Sequence, residues 1–139
     1  FDDALQARKI LRANVKVGRT AEETKEIIKN KMNEAGFSFV SSDGITDPEK
    51  TKVSIDLHPL GHQWSDDAVG PRMANWGLDR AHLKIPPYSL FVLEYVVRKP
   101  VPEWGEGNHI SLSIEDDVVV TDRGVEFLYP PIKQIRLIR

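Results

Sequence analysis

The sequence predicts an α+β domain, two helices followed by an antiparallel set of strands. Helical periodicity is confined to the residues before Gly36, stretches rich in Val, Ile, Leu and Phe fill much of the remainder, and Gly, Pro and Asp punctuate them. A chain of 139 residues suits one core, so residues 1–139 are read as one unit.

The elements follow in order. Phe1, Leu5, Ile10, Leu11 and Val15 recur near helical spacing, which predicts a first helix from Phe1 to Val17 with Gly18 as its stop. Thr20 followed by Glu23 is a capping box, and Ile27, Ile28, Met32 and Ala35 continue an apolar face to Gly36. Phe37 to Val40 and Lys52 to Leu57 read as short strands with a polar surface loop between them. From His58 to Pro87, repeated Pro and Gly interrupt any long element and predict a structured loop region. Leu90 to Val97 reads as a buried strand. His109 to Glu115 alternates, Asp117 to Thr121 continues the strand pattern, and Asp122, Arg123 and Gly124 turn the chain into Val125 to Leu128. A last strand is expected around Ile135 to Ile138.

Composition excludes several classes. The 19 basic and 21 acidic side chains nearly cancel, and no basic stripe points to a nucleic acid or a membrane surface as partner. The absence of cysteine removes disulfides and thiolate metal sites. No stretch approaches the roughly 20 apolar residues of a membrane-spanning helix, so the expectation is a soluble chain, cytoplasmic by default. The chain begins at Phe1 without a signal-peptide pattern, and its natural N-terminus is expected to be missing.

Few residues offer chemistry. His58 and His62 lie in HPLGH, a spacing that would put both rings on one helix face, but Pro59 and Gly61 argue against that helix and the glutamate of a helical zinc motif is absent. Glu94 interrupts the apolar LFVLEYVV. It either points to solvent or to an Arg such as Arg98, or it is a metal ligand facing a cleft. Glu115 repeats the situation beside Asp116 and Asp117, a pair read as a strand-edge or turn feature. Together His62, Glu94 and Glu115 form a nitrogen and oxygen set suited to Mn, Co, Fe or Zn. Trp64, Trp76 and Trp104 either line a substrate pocket or, the favoured reading beside Gly and Pro, plug loops into the core, and His82 and His109 read as exposed.

The order HPLGH, LFVLEYVV and SIEDDVVVTDRGVEFL resembles the second half of the pita-bread metallopeptidases, the family of Xaa-Pro aminopeptidases, prolidases, methionine aminopeptidases and creatinase, and within it the Xaa-Pro aminopeptidase branch. The resemblance implies the C-terminal portion of that fold, with the two helices packed on a curved antiparallel sheet. It implies that His62 and Glu94 bind one metal, that Glu115 bridges two, and that His58 lines the substrate pocket. It also implies a parent enzyme hydrolysing Xaa-Pro bonds by metal-activated hydroxide, with two divalent metals per complete site, a peptide substrate with proline at its second position, and a homodimer of the parent. The family completes its site with two aspartates upstream of the helices, and no such pair stands here, since Asp2 and Asp3 are adjacent on the first helix. The resemblance therefore places the missing ligands before Phe1 and implies that this chain alone is inactive. A second histidine downstream of His62 and an arginine before Glu115 are also lacking. Those departures fit the alternative reading, a pita-bread domain that has lost catalysis and binds peptides or proteins.

Overall fold

The computed structural model describes residues 1–40, 46–60, 70–75, 80–136 and 138. Helix α1 spans Asp2–Asn14 and α2 spans Ala21–Glu34; the strands are β1 Ser38–Phe39, β2 Lys52–Pro59, β3 Met73–Ala74, β4 Ser89–Pro100, β5 His109–Thr121 and β6 Gly124–Phe127.

The start of α2 is set by the capping box. The Thr20 hydroxyl accepts from the Glu23 backbone N–H at 3.1 Å, and the Glu23 carboxylate accepts from the Thr20 N–H at 2.9 Å. The Thr20 N–H, donating to it, holds the Glu23 carboxyl below its ordinary range. The helix stops where Gly36 takes φ of 90°, a left-handed conformation that a side chain would strain. The first helix ends earlier than its apolar spacing suggests, because Val15 turns extended with ψ of 115°, and Gly18 belongs to the turn beyond it.

The strands form one sheet in the order β1, β2, β4, β5, β6, with β3 added against β2. All pairings are antiparallel except β1 with β2, which is parallel. The sheet is thus mixed and not purely antiparallel. Ser38 and Phe39 leave α2 in the same direction that Lys52 and Val53 later take, so the chain returns between them before pairing. The single strand β5 runs straight through Asp116, a position that its acidic neighbours predict at a strand edge or turn. No strand occurs among the described residues of 135–138.

Both helices lie on one face of the sheet. Leu11, Val15, Ile28 and Met32 bury against Val53, Ile55, Leu57, Leu93, Tyr95, Val97, Ile114, Val118 and Val120. Because side chains alternate along a strand, the intervening residues Asp56, His58, Glu94, Arg98 and Glu115 stand on the other face. One charged pair intrudes on the apolar side. Arg8 and Asp116 approach to 3.5 Å with side chains only 9% and 10% exposed, and Arg8 also donates to the Ile132 carbonyl at 2.5 Å. Burial raises the Asp116 carboxyl above its ordinary range, with the Arg8 charge opposing the shift. Nearby, burial likewise raises the Tyr95 hydroxyl, which donates to the Ala4 carbonyl at 3.2 Å. Trp104 is 63% exposed on a short 3-10 turn, Pro102–Trp104, so it does not plug the core. Among the described residues no helix is long and apolar enough to cross a membrane.

Candidate metal centre

The open face is ordered by register. Asp56 on β2 is opposite Glu94 on β4, and Glu94 is opposite Glu115 on β5. Three carboxylates therefore form one row across three strands. His58 stands two residues beyond Asp56 on the same face, in a row with Val92 and Asp117. The carboxylates of Asp56 and Glu94 and the imidazole of His58 each offer a ligand atom, and these atoms all lie within 4.8 Å of one another.

The imidazole is oriented by its own strand. The His58 Nδ1 lies 3.0 Å from the Pro59 carbonyl, which accepts only, so Nδ1 carries the proton. In the neutral ring, Nε2 then presents a lone pair, and this atom is 3.5 Å from Glu94 Oε2. A lone pair facing a carboxylate oxygen is repulsive unless a positive charge, either a proton or a metal ion, lies between them. A histidine whose second nitrogen is bonded to a carbonyl is also the usual arrangement of a ring poised to ligate metal. The donor set of one nitrogen and carboxylate oxygens suits Mn, Fe, Co or Zn, and at metal–ligand bonds of roughly 2.0–2.2 Å the observed convergence fits one cation.

Asp56 has a protein cation as well. Arg72 grips it with two parallel bonds, Nε to Oδ1 at 2.6 Å and the second from Nη2 to Oδ2. The arginine reaches Asp56 because the chain at Gly70 passes hard against the end of β2. A Cβ on Gly70 would meet Pro59 Cγ at 2.9 Å, so only glycine permits that approach. An ionised carboxylate has about four acceptor positions, so Asp56 retains capacity beyond the two that Arg72 fills.

The residues singled out from sequence are distributed as follows. Glu94 belongs to the converging group. Glu115 is its exposed cross-strand neighbour. His58, expected in a loop and in a substrate pocket, stands within β2, with its ring in the converging group. His62 lies outside the described residues, as do Trp64 and Trp76. His82 and His109 are exposed. Asp56 and Arg72 were missed. Strand alternation carried to Pro59 would have put Asp56 on the side of His58, but ending the strand at Leu57 hid that relation. No sequence spacing announces Arg72, which arrives from beyond β2.

No protein-family profile matches the sequence, and no curated protein matches it. Solved structures do. The chain is similar to methionine aminopeptidase from Rickettsia prowazekii, with a TM-score of 0.52 at 15% identity over 91% of this chain and 49% of that one. It has the pita-bread fold. X-Pro aminopeptidase from Thermotoga maritima also matches, with a TM-score of 0.48 at 20% identity over 94% of this chain and 31% of that one. The chain spans about half the length of the methionine aminopeptidase it matches.

Proposed function

We propose that this pita-bread chain supplies the histidine and carboxylate side of a divalent-metal site in a hydrolase acting on peptide bonds. The observation that carries the reading is the convergence of Asp56, His58 and Glu94 on one point of the open face, with Glu115 the next carboxylate along the row. A bound divalent cation supplies Lewis acidity toward a scissile carbonyl and activation of water. The chain's own groups do the rest. The Pro59 carbonyl fixes the His58 tautomer, Arg72 fixes the rotamer of Asp56, and the two helices behind the sheet hold β2 and β4 in register.

The finer reading is that of the sequence resemblance. The substrate is an Xaa-Pro peptide and the metal is Mn, Co, Fe or Zn, with His62 and Glu94 on one ion and Glu115 bridging two. Two aspartates upstream of Phe1 complete the site of a homodimeric, cytoplasmic parent. A second reading, a peptide- or protein-binding module without catalysis, is favoured by one observation: Arg72 already places a positive charge on Asp56, where a catalytic cation would otherwise draw on both oxygens.

Calorimetric titration of manganese, cobalt and zinc into the protein, paired with an Xaa-Pro peptide assay on the full-length parent, tests both. The expected result is metal binding weakened in His58→Ala and Glu94→Gln by more than the roughly 10–100-fold that loss of an outer-shell partner costs, with hydrolysis lost in parallel. Metal affinity indifferent to both substitutions would sink the site; metal binding without hydrolysis would favour the binding module.

A further inference from the structure

The open face has a second charged end. Four residues along the strands from Asp56 and Glu94, Lys52 is directly opposite Arg98. Like charges directly opposite one another destabilise a sheet. Among the described residues neither forms an ion pair with a carboxylate; Arg98 donates to the Ser54 hydroxyl at 3.2 Å and Lys52 has no salt bridge. The two cations border a cavity of about 490 Å³ that Pro100, Pro102 and Asn108 also line. Glu49 and Glu106 line it too, yet neither is drawn onto Lys52 or Arg98. Between the two charged ends lies a row of uncharged residues, Ser54, Val96 and Ser113.

We propose that Lys52 and Arg98 anchor the C-terminal carboxylate of an extended peptide whose scissile bond lies at the Asp56, His58 and Glu94 centre. The proposal rests on the peptidase reading above and adds a substrate class to it, short peptides with a free C-terminus. The charge fits, since two unpaired cations on one side of a cavity match a carboxylate. The length fits as well. Strands rise about 3.3 Å per residue, so four residues separate the two ends by roughly 13 Å, the span of about four extended peptide residues. A pentapeptide cleaved after its first residue places its terminal carboxylate between Lys52 and Arg98. The row between them carries no charge of its own, and the Arg98 guanidinium leans onto its Ser54, toward the approaching backbone.

The test compares a pentapeptide free acid, the same peptide as its C-terminal amide, and inorganic phosphate. Each is titrated calorimetrically into the metal-supplemented full-length protein, and hydrolysis of both peptides is followed. The expected result is an acid-over-amide preference of at least tenfold, expressed in Kd and KM and not in kcat. In Lys52→Gln/Arg98→Gln that ratio falls to about one, while Arg98→Lys keeps most of it. Both positions are partly exposed, and the circular-dichroism spectrum of each variant checks that the fold is retained. Equal affinity of the wild type for acid and amide would overturn the anchor. So would phosphate binding that depends on Lys52 and Arg98 without any preference for the peptide acid, which would make the pair a free-anion site. The two readings fail separately. Acid-selective binding without hydrolysis supports the anchor and removes the peptidase, whereas hydrolysis indifferent to the C-terminal charge leaves the peptidase and removes the anchor.

Discussion

On β4, neighbouring residues belong to two different regions of the molecule. Phe91, Leu93, Tyr95 and Val97 face the helices and are almost wholly buried, while Glu94, Val96 and Arg98 face outward from the same strand into a field of paired like charges. The helix side has what a fold needs, apolar area removed from water and the buried Arg8–Asp116 pair with its hydrogen bonds made. The open side places Glu94 opposite both Asp56 and Glu115, and Lys52 opposite Arg98. Cross-strand pairs of one sign cost stability, so the open face is organised for something other than folding. Stability and chemistry are divided between the two sides of one sheet.

Substitutions can break that division or sharpen it. The largest effect is expected at Tyr95, fully buried and bonded to the Ala4 carbonyl. Tyr95→Ala should lower unfolding free energy by about 4 kcal/mol, as other large aromatic truncations in cores do. Urea denaturation measures it, and a loss under about 1 kcal/mol would mean that the helices do not depend on this face.

Next is Arg8→Ala, expected to cost about 3 kcal/mol by leaving Asp116 ionised and buried without its partner. The pH dependence has a definite sign. The folded-state carboxyl of Asp116 is raised above its ordinary value of 3.8, so the folded protein holds more protons than the unfolded one between those two values, and stability from this group rises as pH falls through that window. Removing Arg8 takes away the charge that opposes the shift and widens the window upward. The deficit of Arg8→Ala against wild type should therefore shrink as pH falls from neutral toward the ordinary carboxyl value. A deficit independent of pH would assign Arg8 to packing over the Phe127 ring, 5.9 Å from its guanidinium, and to its bond with Ile132.

The smallest effect belongs to the open side. Glu94→Gln should leave metal-free stability unchanged or raise it by up to about 1 kcal/mol, because it removes a charge flanked by like charges. A loss of several kcal/mol in the same denaturation measurement would show that Glu94 supports the fold.

Legibility in the sequence follows the same boundary. The capping box of Thr20 and Glu23, the apolar run of β4 and the Asp122–Gly124 turn are local signals, and each predicts its element. Pairing direction is not local, so nothing in Phe37 to Val40 announces that β1 runs parallel to β2. Asp116 misleads because an acid beside two others reads as solvent-facing, while its burial depends on Arg8, far away on α1. The final strand is expected from the apolar residues at Ile135 to Ile138, where no strand occurs among the described residues. At the site, Glu94 stands out as a charge in an apolar run and His58 by its residue type. Asp56 is ordinary in sequence and acquires meaning only from register, and Arg72 only from the close pass of Gly70 against Pro59.

The row that joins Asp56, Glu94 and Glu115 also has an order in time. Glu94 and Glu115 are on strands adjacent along the chain, linked by the short 3-10 turn at Pro102–Trp104, whereas Asp56 and His58 reach β4 only after a longer loop has closed. Contacts of smaller sequence separation incur less loop-closure entropy and form sooner. That difference predicts that the two glutamates meet before the imidazole and its aspartate arrive, which φ-values higher at the β4–β5 pairing than at the β2–β4 pairing would bear out. The nascent hairpin thus holds a pair of carboxylates with no counter-charge beside them, and a divalent cation present in the refolding buffer has a partner before the site is whole.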